Sequence, residues 1–541
     1  MIHRTAASFL PFCLLVLAGL TLGHPLKGAD PADPKPARTR PGSPHPSDAL
    51  FAGPILHFEL QVPPAGMQAL RREPRTAVPA TLRIGSNRWE SVGIRIKGAA
   101  GSTRSIDDLP ALTLNIDKFN KGQKLHGLEK LHLNNSVQDP SRMSEMVCAD
   151  LYRRAGIPAA RATHALVSLN NRRLGLYVLK EGFDKTFLQR HFTNASGNLY
   201  DGGFLQDIDQ DLKLDSGKEP PDWKDLRALA EACRLPDAEQ RRQRLAGRVD
   251  VDRFITYTAL QILTEDWDGY PANRNNYRVY HEPDGGRFVF LPHGMDQMFD
   301  HGGMPLDRGF EGMVAQRIFQ VRDWREAYFD RIASLLTNVF SADPILAHFD
   351  AAVARRETTL GELNRREADR IRSATGNLRT RILRRIDNAR EQLANRPQPI
   401  QIGADGLVPL NGWKPRTEDG AGRAEQVETA NQSPELKLEL RNAGQISWRT
   451  RVALPAGRYR FEGRGQTRNV QASNDGTGTG LGLRISGSQR NSGLTDTTDW
   501  KPLSFEFSTD SDSEVELVAE LRGRRGTGSF DASAFQLRKL P

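Results

Sequence analysis

A chain of 541 residues is too long for one ordinary domain and calls for at least two. Its 38% hydrophobic and 26% charged residues exclude wholesale disorder, and a net charge of +9 admits an anionic partner without naming one. Three cysteines, with only Cys148 and Cys233 beyond the N-terminal segment, exclude a disulfide framework.

In chain order, His3 and Arg4 precede an apolar run over 9–18, followed by small residues near Gly19, Gly23 and Ala29. That layout predicts a secretory signal peptide over 1–23, hence export to the periplasm, the cell surface or the medium. Cys13 lies inside the apolar run, too early to be a lipoprotein cysteine. Residues 24–50, rich in proline, alanine and charge, read as an extended solvated linker. No later run is apolar for long enough to span a bilayer.

Residues 51–396 form the first large unit. Apolar and polar residues alternate over 57–62, 80–84, 93–97 and 111–116, predicting strands. A helix is expected over 141–155, opened by Asp139-Pro140-Ser141 and closed by Gly156; Cys148 lies in it and reads as a small buried residue. Strands over 163–169 and 174–179 flank Asn170-Asn171, a hairpin signal. Residues 219–237 read as helical or partly looped and 251–263 as helical. A second hairpin joins 277–280 to 287–291, and helices follow to about 396. Between Ala354 and Arg396, arginines alternate with glutamates in the manner of a solvated helix laced with charge pairs. No aromatic residues interleave there, so nucleic acid is not an expected partner. The order, β-rich and then helical, predicts an α+β fold.

Beyond Pro397-Gln398-Pro399, short strand patterns over 436–440, 449–454, 457–463, 480–485, 503–507, 514–521 and 530–537 predict a β-sandwich, jelly-roll-like, over 401–541. The glycine-rich 476–482 misses the GxGxxG spacing and reads as a turn. Trp413, Trp448 and Trp500 are candidate sugar-stacking platforms or structural residues.

The chain has no GxxxxGK[ST] loop, GxSxG elbow or HExxH pair. One loop, Glu265-Asp266-Trp267-Asp268-Gly269-Tyr270-Pro271-Ala272-Asn273-Arg274-Asn275-Asn276-Tyr277, packs carboxylates and amides that suit a hard cation. Asp268 and Asn273, five apart, reproduce the spacing of a protein-kinase catalytic loop, in which the Asp accepts the substrate proton and the Asn holds metal. A loop held by Asx turns would also explain them. Asp296 follows the second hairpin, where a kinase places its metal-holding aspartate. Lys97, at a strand end before Gly98, is a candidate phosphate contact. Lys180 in Val178-Leu179-Lys180 is its rival, and Glu181 either pairs with a lysine, binds metal or is a surface residue.

Several segments taken together resemble the spore-coat protein H (CotH) kinase family. They are Gly93-Ile94-Arg95-Ile96-Lys97-Gly98 with Ser102-Thr103-Arg104; Phe119-Asn120-Lys121-Gly122-Gln123; Gly127-Leu128-Glu129-Lys130-Leu131-His132-Leu133-Asn134-Asn135; Asp139-Pro140-Ser141; and Trp267-Asp268-Gly269-Tyr270 with Asn273 and Asn275-Asn276-Tyr277. The resemblance implies an atypical protein-kinase-like fold and transfer of the ATP γ-phosphate to protein hydroxyls with Mg²⁺ or Mn²⁺. It implies Asp268 and Asp296 as the two essential aspartates; spacing adds Asn273 to the metal set, and Lys97, Lys180 and Glu181 are the nucleotide-binding candidates. Two departures stand out. The family's W-D-x-D is His293-Gly294-Met295-Asp296 here, so its first aspartate is missing, and Thr113 and Asn115 stand where lysines are common. The alternative expectation is therefore a catalytically impaired surface protein that binds polysaccharide or a cell-wall partner through the sandwich.

Overall fold

The computed structural model describes residues 45–99, 101–396, 406–417, 422–428, 434–473, 478–509 and 513–541. The signal-peptide segment, most of the linker, and Gly476 and Thr477 of the glycine-rich turn lie outside them. Among the described residues no helix is long and apolar enough to cross a membrane.

Seven strands build the first lobe: β1 (Leu56–Gln61), β2 (Val78–Ile84), β3 (Asn87–Lys97), β4 (Ala111–Asn115), β5 (Lys130–Asn134), β6 (Ala162–Leu169) and β7 (Arg172–Glu181). They follow the order β1-β2-β3-β4-β5-β7-β6, and a parallel pairing of β6 with β1 closes the barrel. Period-two alternation decides which side chains fill it. On β2, for example, Val78, Ala80, Leu82 and Ile84 point inward. The β6–β7 turn places Asn170 and Asn171 at φ 47° and 64°, the left-handed conformation a two-residue hairpin requires. The Asn170 amide also bonds both backbone groups of Val62, fastening the end of β1 to the turn.

Short helices α1 (Asp48–Ala52) and α2 (Pro64–Arg72) flank the barrel. The expected solvated linker thus ends before residue 50: Leu50 and Phe51 are buried, and Asp48 pairs with Arg161 at 2.5 Å. The helix after β5 is α3 (Ser144–Arg154). Asp139 starts it by accepting from the backbone N–H of Ser141 at 3.0 Å and of Ser144 at 2.9 Å.

The second lobe contains α4 (Lys185–His191), β8 (Asn198–Asp201), β9 (Lys213–Ser216), α5 (Lys224–Arg234), α6 (Ala238–Arg248), α7 (Val251–Leu263), α8 (Tyr270–Asn273), β10 (Tyr277–Glu282), β11 (Arg287–Pro292), α9 (Met313–Phe319), α10 (Arg322–Asn338), α11 (Ala342–Leu360) and α12 (Arg365–Ala394). Strands β8–β11 form one sheet in the order β11-β10-β8-β9. Helix α7 is buried from Arg253 to Leu263 because it runs through the core; the Phe254 ring meets Phe290 of β11 edge-on at 4.9 Å. Cys148 and Cys233 are free thiols, both buried.

The C-terminal unit is two sheets around one apolar core. One sheet runs β12 (Leu407–Pro409), β22 (Gln536–Leu540), β17 (Gly457–Gln471), β21 (Arg525–Asp531), β15 (Pro434–Leu440), β14 (Gly422–Glu428), with β19 (Asp496–Thr509) also paired to β17. The other runs β13 (Lys414–Thr417), β16 (Gly444–Leu454), β20 (Ser513–Gly523), β18 (Gly480–Ile485). The strand expected over 530–537 is broken, because a 3₁₀ turn at Ala532–Ala534 separates β21 from β22. Trp448 is buried and Trp413 stacks on Phe461, so these two candidate platforms belong to the core. Arg396, just past α12, reaches Glu514 at 3.4 Å, and Arg451 reaches Asp307 at 3.6 Å, tying the sandwich to the helical lobe.

At one rim of the barrel, Glu181 is buried between Arg161 (3.0 Å) and Arg190 (2.5 Å). Burial pushes its pKa up, but the two guanidiniums outweigh that and hold it down at about 2. The folded-state value lies below the ordinary 4.5, so this stabilisation is complete above about pH 4.5 and is lost as pH falls toward about 2. Glu181→Gln is expected to cost roughly 3 kcal/mol near neutral pH by stranding two buried cations. Urea unfolding should show that difference narrowing through the acid window.

Candidate active site

Pairing across β4, β5 and β7 sets Thr113 opposite His132 and His132 opposite Lys180. Paired residues share a face of the sheet, so these three side chains form one row outside the barrel core. Thr113 Oγ1 and His132 Nδ1 lie 3.1 Å apart. Lys180 Nζ donates to Glu145 Oε1 of α3 in an ion pair whose side chains are only 1% and 3% exposed. The period of two sends the next residue, Glu181, to the opposite face and into its arginine pair. The carboxylate that meets the β7 lysine is therefore Glu145, and Glu181 lies across the strand from it.

Lys97, at the end of β3, joins the same region and donates to Asn134 Oδ1 at 2.5 Å. Burial and the charge of Lys180 lower its pKa to about 8, against the opposing pull of Glu145 and Asp296. The His132 and His293 imidazoles are held far below the usual histidine value by burial and by neighbouring cations, so both are neutral at pH 7. His293 Nδ1 lies 3.4 Å from Lys180 Nζ.

The loop between α7 and β10 is joined to this row through His293, whose N–H donates to Asn276 O at 3.1 Å. Asp268 accepts three amide hydrogen bonds: Asn273 Nδ2 to Oδ1 at 2.7 Å, and Asn275 and Asn276 Nδ2 to Oδ2, each at 2.9 Å. Asn276 and Arg274 have left-handed φ (48° and 53°), which folds the amides back onto the aspartate. Asp268 and Asn273 are thus brought together as their spacing suggested. Asp266 lies behind them, 1% exposed; Gln261 Nε2 donates to Oδ2 at 2.9 Å, while Oδ1 has no partner.

Asp296 follows β11. Among the described residues no cation lies at ion-pair distance from it. Burial and the nearby Glu145 push its pKa up to about 6, opposed by its own backbone N–H and by Lys97. These mutual influences place Lys97, Lys180, Glu145 and Asp296 in one electrostatic neighbourhood, and Asp266 feels both Asp268 and Asp296.

Gly294 has φ 62°, and a Cβ there would lie 2.5 Å from Asn276 Oδ1. The missing aspartate is thus replaced by a glycine that makes room for one of the Asp268-holding amides. From sequence, Asp266, Asn275 and Asn276 stood out only as part of the cation-suited loop and His293 only as a motif departure, with no role of their own, and Glu145 was not singled out at all. Glu145 carried a weak signal, an acidic residue directly before the apolar Met146-Val147-Cys148-Ala149 of α3, all of them buried.

A closed barrel bearing a buried lysine–glutamate pair, beside a helical lobe with an amide-held aspartate, defines an α+β protein with a polar site where the two meet. The chain belongs to the CotH kinase protein family, which matches residues 94–375. It is 23% identical over 310 residues to the inner spore coat protein H of Bacillus subtilis (strain 168), covering 53% of this chain and 82% of that one. It is also similar to the invasins CotH7 and CotH3 of Rhizopus delemar. These are 24% identical over 35% of this chain and 25% identical over 31%; the chain spans about a third of each. Among solved structures, a match to TmCBM61 in complex with β-1,4-galactotriose has 17% identity and covers 24% of this chain and 91% of that one. Its TM-score of 0.19 is too low to assign a ligand to the sandwich.

Gly294→Asp, which restores the family's residue, is expected to weaken rather than improve the site. Left-handed backbone and the Asn276 contact together should cost about 1–3 kcal/mol, read as a lower urea midpoint.

Proposed function

We propose that the chain is an exported metal-dependent phosphotransferase that moves the ATP γ-phosphoryl group to hydroxyls of a protein substrate. The observation that carries this reading is the buried Lys180–Glu145 pair joined through His293 and Asn276 to the loop that holds Asp268, with Asn273 five residues on. In phosphoryl transfer the protein chiefly positions and neutralises charge, and a lysine pinned by a helix carboxylate, a base aspartate and a metal-holding aspartate are its recurring parts.

The residues fit a divalent cation of the magnesium kind. Such ions keep several waters and substrate oxygens, and need only one or two carboxylates from the protein. Among the described residues no three His, Cys, Asp or Glu side chains converge as a full protein cage. Asn273 uses its amide nitrogen on Asp268, leaving Oδ1 available, and Asp296 has a carboxyl free of ion pairs. Buried Glu145 Oε2 also lacks a partner. Asp296 and Asn273 would hold the ion, which when bound supplies charge neutralisation at the phosphates.

Asp268 then acts as base. Its Oδ2 is filled by two amide donors, whereas Oδ1 has one donor and one lone pair left. Asp268 Oδ1 takes the proton of the attacking hydroxyl as that oxygen bonds to the γ-phosphorus and the bond to the ADP oxygen breaks. Lys180, oriented by Glu145, and Lys97 bind phosphate oxygens, and the neutral His132 and His293 add no further charge there. This assigns Glu181 no contact with nucleotide.

The test is phosphate incorporation from γ-labelled ATP with Mg²⁺ or Mn²⁺. Asp268→Asn is expected to lower the rate by about 10²–10⁴-fold, with Asp296→Asn and Lys180→Met equally severe. Glu181→Gln, assayed where it is folded, should retain the wild-type KM for ATP. A wild type that transfers nothing, or aspartate variants that transfer normally, would remove the assignment.

A further inference from the structure

Immediately before the Asp266–Asp268 loop, Glu265 turns inward with a left-handed φ of 58°. Its side chain is 1% exposed, yet it makes no contact with the proposed reacting groups. Instead its carboxylate accepts four successive backbone N–H groups from the segment after Asp296. Oε2 takes those of His301 and Gly302, both at 3.2 Å, and Oε1 takes those of Gly303 at 2.7 Å and Met304 at 3.1 Å. Consecutive amides that converge on one point make an anion nest, and the positive φ of Gly302 (62°) and Gly303 (147°) allows the chain to form it.

A second layer supports the first. Arg385 of α12 is 1% exposed, 3.7 Å from Glu265 Oε1, and donates to the carbonyls of Ile262, Leu263 and Met304 at 2.8, 3.1 and 2.8 Å. One guanidinium therefore holds the end of α7 and the segment after Asp296 together. Phe299 N–H donates to Thr264 O at 2.9 Å, and Gln392 Oε1 accepts the N–H of Leu306 at 2.9 Å. The connection from Thr264 and Glu265 to residues 299–306 is made largely of backbone groups, anchored by buried Glu265, Phe299, Met304 and Leu306 while His301 and Gly302 reach the surface.

We propose that Glu265 is a positioning residue: it clamps residues 299–306, and through them Asp296, in register with Asp268. The clamp ties the end of α7, which leads into the Asp268 loop, to the segment that follows Asp296. Segments that follow the metal-holding aspartate in kinases are commonly ordered by a phosphate that arginines capture. Here the negative charge is a built-in carboxylate and the partners are backbone amides, so no modification of the segment is needed. The consequence for metal rests on the phosphotransfer reading; the clamp itself does not.

The experiment compares the full wild-type chain with Glu265→Gln, which keeps the shape but replaces an acceptor oxygen with a donor nitrogen. Glu265→Asp is the second variant, keeping the charge but falling one methylene short of the nest, and it decides the matter if the first does not fold. Hydrogen exchange is expected to rise about tenfold at amides 301–304 and also at 295–298, with the rest of α7 and the barrel unchanged. Mn²⁺ affinity in the presence of ATP, read by electron paramagnetic resonance, is expected to fall roughly tenfold, in step with that exchange. Unchanged exchange at 301–304, or a rise confined there that leaves 295–298 protected, overturns the inference. A wild type that binds no Mn²⁺ with ATP removes the phosphotransfer reading alone, and the exchange at 295–298 still decides whether Glu265 positions Asp296.

Discussion

Everything in the cleft depends on a lysine and a glutamate that have been taken out of water together. Removing either charge from such a pair would leave the other buried and uncompensated, at a cost of several kcal/mol. The Lys180–Glu145 pair therefore ties β7 to α3 far more rigidly than a surface ion pair could. The elements around it are arranged to keep that geometry. Asp139 caps the start of α3, and Arg356, itself 1% exposed, reaches across from α11 to Ser141 O at 2.7 Å. Thr375 of α12 anchors the same guanidinium, so the long C-terminal helix of the lobe indirectly sets the position of Glu145.

A comparable division of labour governs the acidic side. Asp268 is held by three neutral amides, which fix the orientation of its carboxylate by hydrogen bonding. Asp296 is surrounded by other acids and by apolar burial, so its charged form is disfavoured in the empty protein. Two aspartates in one cleft thus have opposite environments, one satisfied and one frustrated. A frustrated carboxylate gains most from an arriving cation, which accords with the roles proposed for the two.

Local pattern carried much of this into the sequence. Helix α7 occupies Val251–Leu263 as its apolar run required, and the Asn170-Asn171 turn and the 480–485 strand lie where turn chemistry and alternation placed them. Asp268 and Asn273 were legible because their partnership is local, five residues along one loop. Glu145 was not, because its partner is 35 residues away and no spacing rule connects a helix face to a strand face. Glu181 was misdirecting for the same reason: adjacency to Lys180 in sequence means opposite faces in a strand. Barrel closure by a parallel β1–β6 contact, and the burial of Leu50 and Phe51, likewise depend on tertiary contacts that composition does not encode.

Gly294 shows how a departure from a family pattern can be read physically. Taken from sequence, the absent aspartate suggests a damaged site. In the structure the same position has a left-handed backbone pressed against Asn276, and Asn276 donates to the aspartate proposed as base. A carboxylate at 294 would have to displace that amide and would add a further negative charge beside Asp296, whose ionisation is already disfavoured. Glycine therefore removes one acid and allows another to be held by three amides. The loss of a carboxylate and the ordering of Asp268 are two sides of a single local rearrangement, and the substitution alone is no measure of lost activity.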